Sequence, residues 1–256
     1  MGKNTNIEWC DHTWNVAVGC AKVDKDCLNC YMYRDSLKGT RWNPLEVRKT
    51  TSVFNLPLRI KEPSRIFTSS LTDLYIKEID PFRNEVFDII RKCPQHTFQL
   101  LTKRSDRIEE NTPSDILQMP NVWFGTSCGS QNSTKRIESL LKVNCKVRFV
   151  SFEPLYEPVD MNFDLMDLMK IHWAIIGGES GNNTGQYRYR PCKIEWIESL
   201  ITELHPVMPV FVKQLGTHLA KELKLKDRHG KDWDEWPEHL RIREFPSNYF
   251  ITNKLY

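Results

Sequence analysis

Three cysteines fall within eleven positions of the run VGCAKVDKDCLNCYMYR, at Cys20, Cys27 and Cys30. Thiolate sulfur is a soft ligand, and three such ligands are one short of a closed tetrahedral zinc site. They are also one short of a fully protein-ligated iron-sulfur cluster. Three assignments stay open. A structural zinc would take Cys10 or His12 as its fourth ligand, and the closed coordination would leave no chemistry. A [4Fe-4S] cluster on Cys20, Cys27 and Cys30 would keep one iron open for a small molecule. The third assignment, buried apolar thiols, is opposed by the charged spacers Lys22, Asp24, Lys25 and Asp26. Cys27 and Cys30 run at C-x2-C spacing into LNCYMYRDSLK, which has helical character. Thiols at a helix start are expected to have a lowered pKa.

An open iron has a definite chemical use. In radical SAM enzymes the amino and carboxylate groups of S-adenosylmethionine (SAM) chelate it. An electron from the cluster then cleaves the sulfonium to give a 5'-deoxyadenosyl radical. That chemistry needs a dry cavity, and those enzymes carry their cysteines in the loop after the first strand of a parallel barrel.

The rest of the chain must supply the cavity. Short apolar, β-branched runs recur, each followed at once by small or charged residues. NVAV leads to Gly19 and Cys20, RIFTSS to Asp73, and TFQLL to Thr102, Lys103 and Arg104. VWFGTS leads to Cys128, VRFVSF to Glu153, WAIIGG to Glu179 and VFVK to Gln214. Such runs suit parallel strands buried on both faces. Helical patterns lie between them: DPFRNEVFDIIRK, STKRIESLLK, and PCKIEWIESLITEL with Pro191 expected near its first turn. The alternation predicts an α/β fold, a partial parallel (βα)6-type TIM-like barrel with six or seven units visible. Sites in such folds lie at the carboxyl ends of the strands. Those ends carry Cys20, Ser69, Ser70, Asp73, Lys103, Arg104, Ser127, Glu153, Glu179, Lys213 and Gln214.

At 256 residues one domain is expected over 1–256, with an appendage around 222–256. That tail, with Trp233 and Trp236, reads as packing on the barrel and is a candidate cover for the pocket. Apolar residues at 40% suffice for a core, yet no run approaches a membrane span. With no apolar leader before Trp9, a soluble cytoplasmic protein is expected. Thiols stay reduced there, so Cys93, Cys128, Cys145 and Cys192 read as small buried hydrophobes. A net charge of +3 permits a nucleic-acid partner without requiring one.

TNIEWCDHTWNVAVGC, CLNCY, LLTKR, SFEPL, IIGGESG and VFVKQLG, in that order from Asn6 to Gly216, resemble the phage-type three-Cys-motif family, itself similar to radical SAM proteins. The resemblance implies a radical SAM-like barrel and, from the phage setting, modification of nucleic acid or nucleotides. The spacing departs from the usual radical SAM pattern. It is C-x6-C-x2-C rather than C-x3-C-x2-C, and Asn29 stands where an aromatic is usual, with Tyr31 just after. The glycine-glycine-glutamate run at Gly177–Glu179 follows a late strand rather than the second.

On strand order, the SAM amine falls to Ser69, Ser70 or Asp73, its carboxylate to Lys103 or Arg104, and its ribose or ammonium to Glu153. Ser127 joins the cofactor side. Arg104, Glu179, Tyr187, Arg188 and Lys213 are the candidate substrate contacts. In GQYRYRPCK, Tyr187 and Tyr189 could stack on bases while Arg188, Arg190 and Lys193 meet phosphates. Arg41, Arg48 and Lys49 could extend a basic rim. A nucleobase, nucleotide or nucleic acid is the expected substrate, modified by isomerisation or C–H functionalisation, as in phage DNA hypermodification. A base in a duplex would have to be flipped into the barrel mouth. An external electron donor, flavodoxin or ferredoxin, is implied. Two other classes compete. One is a zinc-stapled barrel acting as a nucleic-acid-binding or nuclease-partner module. The other is a hydrolase using Glu153, Glu179, Asp73 and His172, although His172 starts a strand and faces the wrong end.

Overall fold

The structure, a computed structural model, describes residues 5–36 and 43–246. Its strands in chain order are β1 (His12–Trp14), β2 (Ala17–Val18), β3 (Arg48–Lys49), β4 (Arg65–Thr68), β5 (Thr97–Thr102), β6 (Val122–Ser127), β7 (Val147–Leu155), β8 (Trp173–Gly178) and β9 (Val210–Gln214). Seven of them form one parallel sheet in the order β1-β4-β5-β6-β7-β8-β9. Outside the sheet, β2 and β3 make a small antiparallel ribbon. Among the described residues β1 and β9 do not pair, so the sheet curls into a seven-stranded half-barrel.

One expected strand moves. NVAV is not the first strand of the barrel; HTW, just before it, takes that place with His12 opposite Ile66 and Trp14 opposite Thr68. Trp14 fixes this register: it is fully buried and its indole N–H donates to Phe54 O at 2.9 Å. Asn15 then turns its side chain to the loop after β4, accepting from the Leu71 N–H and exchanging hydrogen bonds with Ser70 Oγ. Ala17 and Val18 depart to pair with Lys49 and Arg48.

Both faces of the sheet are apolar, which is why its strands read as continuous hydrophobic runs. Ile66, Phe98, Leu100, Phe124, Phe152, Ile176 and Val212 face the outer layer. The helices are α1 (Tyr31–Ser36), α2 (Arg83–Arg91), α3 (Ser114–Leu117), α4 (Lys135–Lys142), α5 (Leu165–Leu168), α6 (Ile194–Leu204) and α7 (Gly216–Glu222). α6 buries Ile197, Leu200 and Leu204, the spacing of one helical stripe. Because it begins at Ile194, Pro191 lies ahead of the helix rather than in its first turn.

The concave face is filled near the amino ends of the strands by Trp9, Phe67, Trp123, Phe149, Trp173 and Phe211. Trp173 meets Trp123 and Phe211 edge-on, with centroids 5.9 and 6.0 Å away. A Cβ on Gly125 would lie 2.3 Å from the Phe149 ring, so glycine is what admits that ring. The filling stops partway up, and above it the half-barrel is open.

Among the described residues, the carboxyl-terminal segment does not line that opening. Ile242 and Glu244 hydrogen-bond along the free edge of β9, to the Val212 N–H at 2.8 Å and Val210 O at 2.9 Å. Phe245 packs on Trp173 and Phe211 and under the Arg65 guanidinium. Trp236 is buried in the outer core, while Trp233 stays exposed. The segment therefore blunts a sheet edge and plugs the base, and no described residue beyond Gln214 lines the upper cavity. The expected appendage residues 247–256 lie outside the described residues.

Candidate functional site

At the carboxyl ends of the strands lies a cavity of about 540 Å³, within the range of small-molecule sites. Its floor is apolar, made by Ile7, Trp9, Phe67 and Leu101, and its walls are polar. Cys20, Cys27, Cys30, Ser69, Ser70, Asp73, Lys103, Arg104, Ser127, Glu153, Glu179 and Lys213 all line it. Tyr187 and Arg188 do not. Tyr187 sits beside the cysteine loop through Lys22, whose ammonium lies 5.3 Å from its ring, and the Arg188 Nε–H turns back to Gly185 O.

The loop carrying the cysteines is pinned by three arginines from distant segments. Arg104 donates to Ala21 O at 2.8 Å, and Arg190 donates to Lys25 O at 2.8 Å. Arg136, in α4, pairs with Asp26 at 2.7 Å and with Asp24. Asp26 is buried and also accepts from the Gly129 N–H, Ser130 Oγ and the Tyr156 hydroxyl. Burial pushes its pKa up, but the Tyr156 hydroxyl and the Arg136 charge outweigh that and hold it below the usual carboxylate value. Tyr33 closes the loop by donating to Cys20 O. Gly19, at φ +97°, makes the turn before Cys20, and a Cβ there would lie 2.2 Å from Glu46 O.

The thiols are half-buried and close enough for Cys27 and Cys30 to raise the Cys20 pKa. Burial dominates, however, and with Asp73 beside it pushes Cys20 up to about 12. Burial also raises Cys30, with Lys103 opposing. The lowering expected at a helix start is present at Cys30, through the Met32 and Tyr33 N–H groups of α1, but burial outweighs it. Metal ligation here must therefore displace protons. Among the described residues no three His, Cys, Asp or Glu side chains converge as ligands of one metal ion. The donor set nonetheless fits a cluster: three soft donors face one cavity, and each would bind a different iron.

Other residues divide into those already engaged and those with unused hydrogen-bonding capacity. Asp73 accepts four hydrogen bonds, from Thr102 Oγ1, the Tyr75 N–H, the Lys103 N–H and Arg104 Nη1. It holds Arg104 in place and has little left for a ligand. Glu179 is similarly enclosed by the Arg190 backbone N–H and guanidinium, and that guanidinium stacks 3.6 Å from the Tyr156 ring centroid. Ser70 is tied to Asn15 and accepts from Tyr31 on its carbonyl. Arg136 donates to Ser127 O at 2.8 Å, leaving the Ser127 side chain on the wall.

By contrast, Ser69 is buried in a left-handed conformation, φ +72°, and its hydroxyl has no partner among the described residues. The Lys103 ammonium makes no hydrogen bond or ion pair with any described residue, although its charge reaches Cys30. Glu153 and Lys213, expected on the cofactor and substrate sides respectively, form one ion pair at 2.5 Å, joined by the Gln214 amide at 3.2 Å.

Several candidates lie elsewhere. Cys10 and His12 stand at the amino end of β1. Cys10 is buried among the concave aromatics with its thiol pushed up to about 12 by burial, and neither residue lines the cavity. His172 precedes β8 and accepts from the Arg148 N–H, at the same far end. Lys49 pairs with Glu85 at 2.6 Å, and neither it nor Arg48 reaches the cavity. Arg41 lies outside the described residues.

Sequence reasoning missed the structural roles of Asp26, Arg136 and Tyr156. One signal was present: Arg136 lies four residues before Leu140 and beside Ile137, on the apolar stripe of α4. A cation there calls for a buried partner.

Neither the curated proteins nor the solved structures yield a match. A family model described as protein of unknown function (DUF5131) matches residues 4–239. The chain with this cysteine-lined half-barrel belongs to the DUF5131 family.

Proposed function

We propose that the chain is a radical SAM-type enzyme whose substrate is a nucleobase, nucleotide or nucleic acid. Cys20, Cys27 and Cys30 would hold a [4Fe-4S] cluster, and the half-barrel is read as the partial TIM-like barrel of radical SAM proteins. What carries this reading is one cavity shared by three thiols and by the Lys103 cation, which has no hydrogen-bond or ion-pair partner among the described residues. When bound, cluster and SAM would supply reductive cleavage of the sulfonium and a 5'-deoxyadenosyl radical. The chain's own residues bind and exclude water. Lys103 is the group to meet the methionine carboxylate, being a cation without a hydrogen-bond or ion-pair partner among the described residues. Ser69 offers both a donor and an acceptor to the ligand's polar end. Asp73 and Glu179 act one step back, positioning Arg104 and Arg190 and so the cysteine loop. The apolar floor keeps the reacting region dry. The electron comes from an external flavodoxin, ferredoxin or chemical reductant. Isomerisation or C–H functionalisation of the base, as in phage DNA hypermodification, is the reaction class.

The test is anaerobic purification with iron, sulfide and zinc analysis. About four irons per chain are expected, lost in the triple Cys20, Cys27, Cys30→Ala variant and kept in Cys10→Ala. Reductant and SAM should then give 5'-deoxyadenosine. About one zinc and no iron after reconstitution would overturn the radical reading in favour of a zinc-stapled nucleic-acid-binding module.

A further inference from the structure

A strip of cations leads away from one side of the cavity mouth. Lys22 and Arg34 line the cavity itself. The Lys22 ammonium donates to Leu28 O at 3.1 Å and lies 4.9 Å from the Tyr33 ring centroid and 5.3 Å from that of Tyr187. Arg34 Nη1 donates to Ser180 O at 3.2 Å, and a Cβ on Gly181 would lie 3.1 Å from that nitrogen and 3.5 Å from Tyr189 Cβ. Tyr189 in turn holds Lys221, whose ammonium donates to the phenol oxygen at 2.9 Å and lies 5.0 Å from the ring centroid. Thr217 Oγ1 accepts from the Gly181 N–H and meets His229 Nδ1 at 3.0 Å; His229 Nε2 accepts from Arg228 Nε, which sets Arg228 at the outer end. Arg188, between the two tyrosines in sequence, is exposed. Lys22, Arg188, Lys221 and Arg228 form no ion pair with any described residue. The carboxylates around them are engaged elsewhere: Arg190 encloses Glu179, the His229 and Lys231 N–H groups donate to Asp227, and Glu222 stands 3.7 Å from His218.

We propose that this strip binds the phosphodiester backbone of a nucleic-acid strand that delivers one of its bases to the cavity. This rests on the nucleobase substrate of the proposed function and adds that the base arrives attached to a strand. Like charges held together repel one another, and a polyanion relieves that repulsion while releasing its own counterions. A free nucleotide carries its phosphate at one point and would leave the outer cations unused; a strand repeats the charge along their length. Residues 182–190 and 226–231 hold no aliphatic side chain larger than a threonine, so the strip offers a protein partner little apolar anchorage. Backbone contacts of this kind position a strand without reading its sequence. The strand is either single or a duplex that extrudes the base.

The test is fluorescence anisotropy with the full chain and a labelled, short all-thymine single strand, between about 50 and 200 mM salt. Unlabelled single strand, a duplex of equal length, thymidine monophosphate and polyglutamate are the competitors. Log affinity should fall against log salt with a slope of about −3.5, five cations at about −0.7 each. In the triple Arg188, Lys221, Arg228→Ser variant the slope should shrink to about −1.4 and affinity at the lowest salt should drop at least about tenfold, with an unchanged melting temperature. Arg188→Glu alone, at an exposed loop position, should weaken binding in the same direction. A duplex that competes better than the single strand identifies an extruded base, and one that competes worse identifies a single-stranded substrate. No binding at the lowest salt, or a slope that the triple variant leaves unchanged, overturns the proposal. So does competition by thymidine monophosphate or polyglutamate, at equal charge concentration, as strong as that by the unlabelled strand. Strand binding by the triple cysteine variant, with no iron in wild type, would overturn the radical reading while leaving this one standing. Iron and 5'-deoxyadenosine formation without strand binding would overturn this one alone.

Discussion

Arg136 Nη1 stands 2.7 Å from Asp26 Oδ2, bridging 110 residues of sequence, with the two side chains 5% and 2% exposed. The pair fixes the middle of the cysteine loop against α4, alongside the contacts from Arg104, Arg190 and Tyr33. Arg136→Met should leave a buried carboxylate uncompensated and cost about 3–5 kcal/mol. Denaturant titration measures it, and a loss below about 1 kcal/mol would show that the pair is not what anchors the loop. Under the proposed cluster assignment, iron loading should fall in parallel.

Lys103 predicts the opposite separation of binding from stability. Its ammonium has no described hydrogen-bond or ion-pair partner, so Lys103→Met should leave the melting temperature unchanged. SAM affinity should fall roughly ten- to a hundredfold, the value of one charge-assisted hydrogen bond. Calorimetric titration with SAM decides it; unchanged affinity would remove Lys103 from the cofactor.

Gly19→Ala should be more damaging than an exposed turn suggests. Its φ of +97° disfavours a side chain, and the added Cβ would meet the Glu46 carbonyl at 2.2 Å, where backbone must move. Adding conformational strain to the clash, a loss of about 2–4 kcal/mol is expected. Cys20 would shift with it, so under the proposed cluster assignment reconstituted iron should drop below that of wild type.

Stability should peak between about pH 7 and 9. Burial pushes the His96 pKa below 6.5, although carbonyls of Pro57 and Ile60 oppose it. Below pH 6.5 the unfolded chain takes up the proton first, so stability falls as pH drops. Burial pushes Cys10, Cys128 and Cys192 each up to about 12. Above pH 9 the unfolded chain loses those protons first, so stability falls again, by about 1.4 kcal/mol per pH unit for each fully titrating thiol. Melting curves across pH check both limbs, and Cys10→Ala should flatten the alkaline one.

The sequence by itself determined the layered α/β plan and the end of the sheet that carries the polar groups. Continuous apolar runs mean strands covered on both faces, and the polar residues just after each run must emerge at one rim. That local rule gathered Cys20, Ser69, Lys103, Glu153 and Lys213 correctly around one cavity. It failed at the first strand, because Trp14 and Asn15 set that register through contacts with Phe54 and with the loop after β4. It also could not sort ligand-facing groups from those holding the loop. Asp73 and Glu179 follow their strands just as Glu153 does in sequence, yet Arg104 and Arg190 enclose the first two, while Glu153 Oε2 has no hydrogen-bond partner among the described residues. Which carboxylate is spent depends on pairings across many tens of residues, and only the tertiary structure decides those. The thiol pKa values obey the same division: spacing suggested a helix start, but burial sets them. Desolvation is a property of the packed fold rather than of any local run.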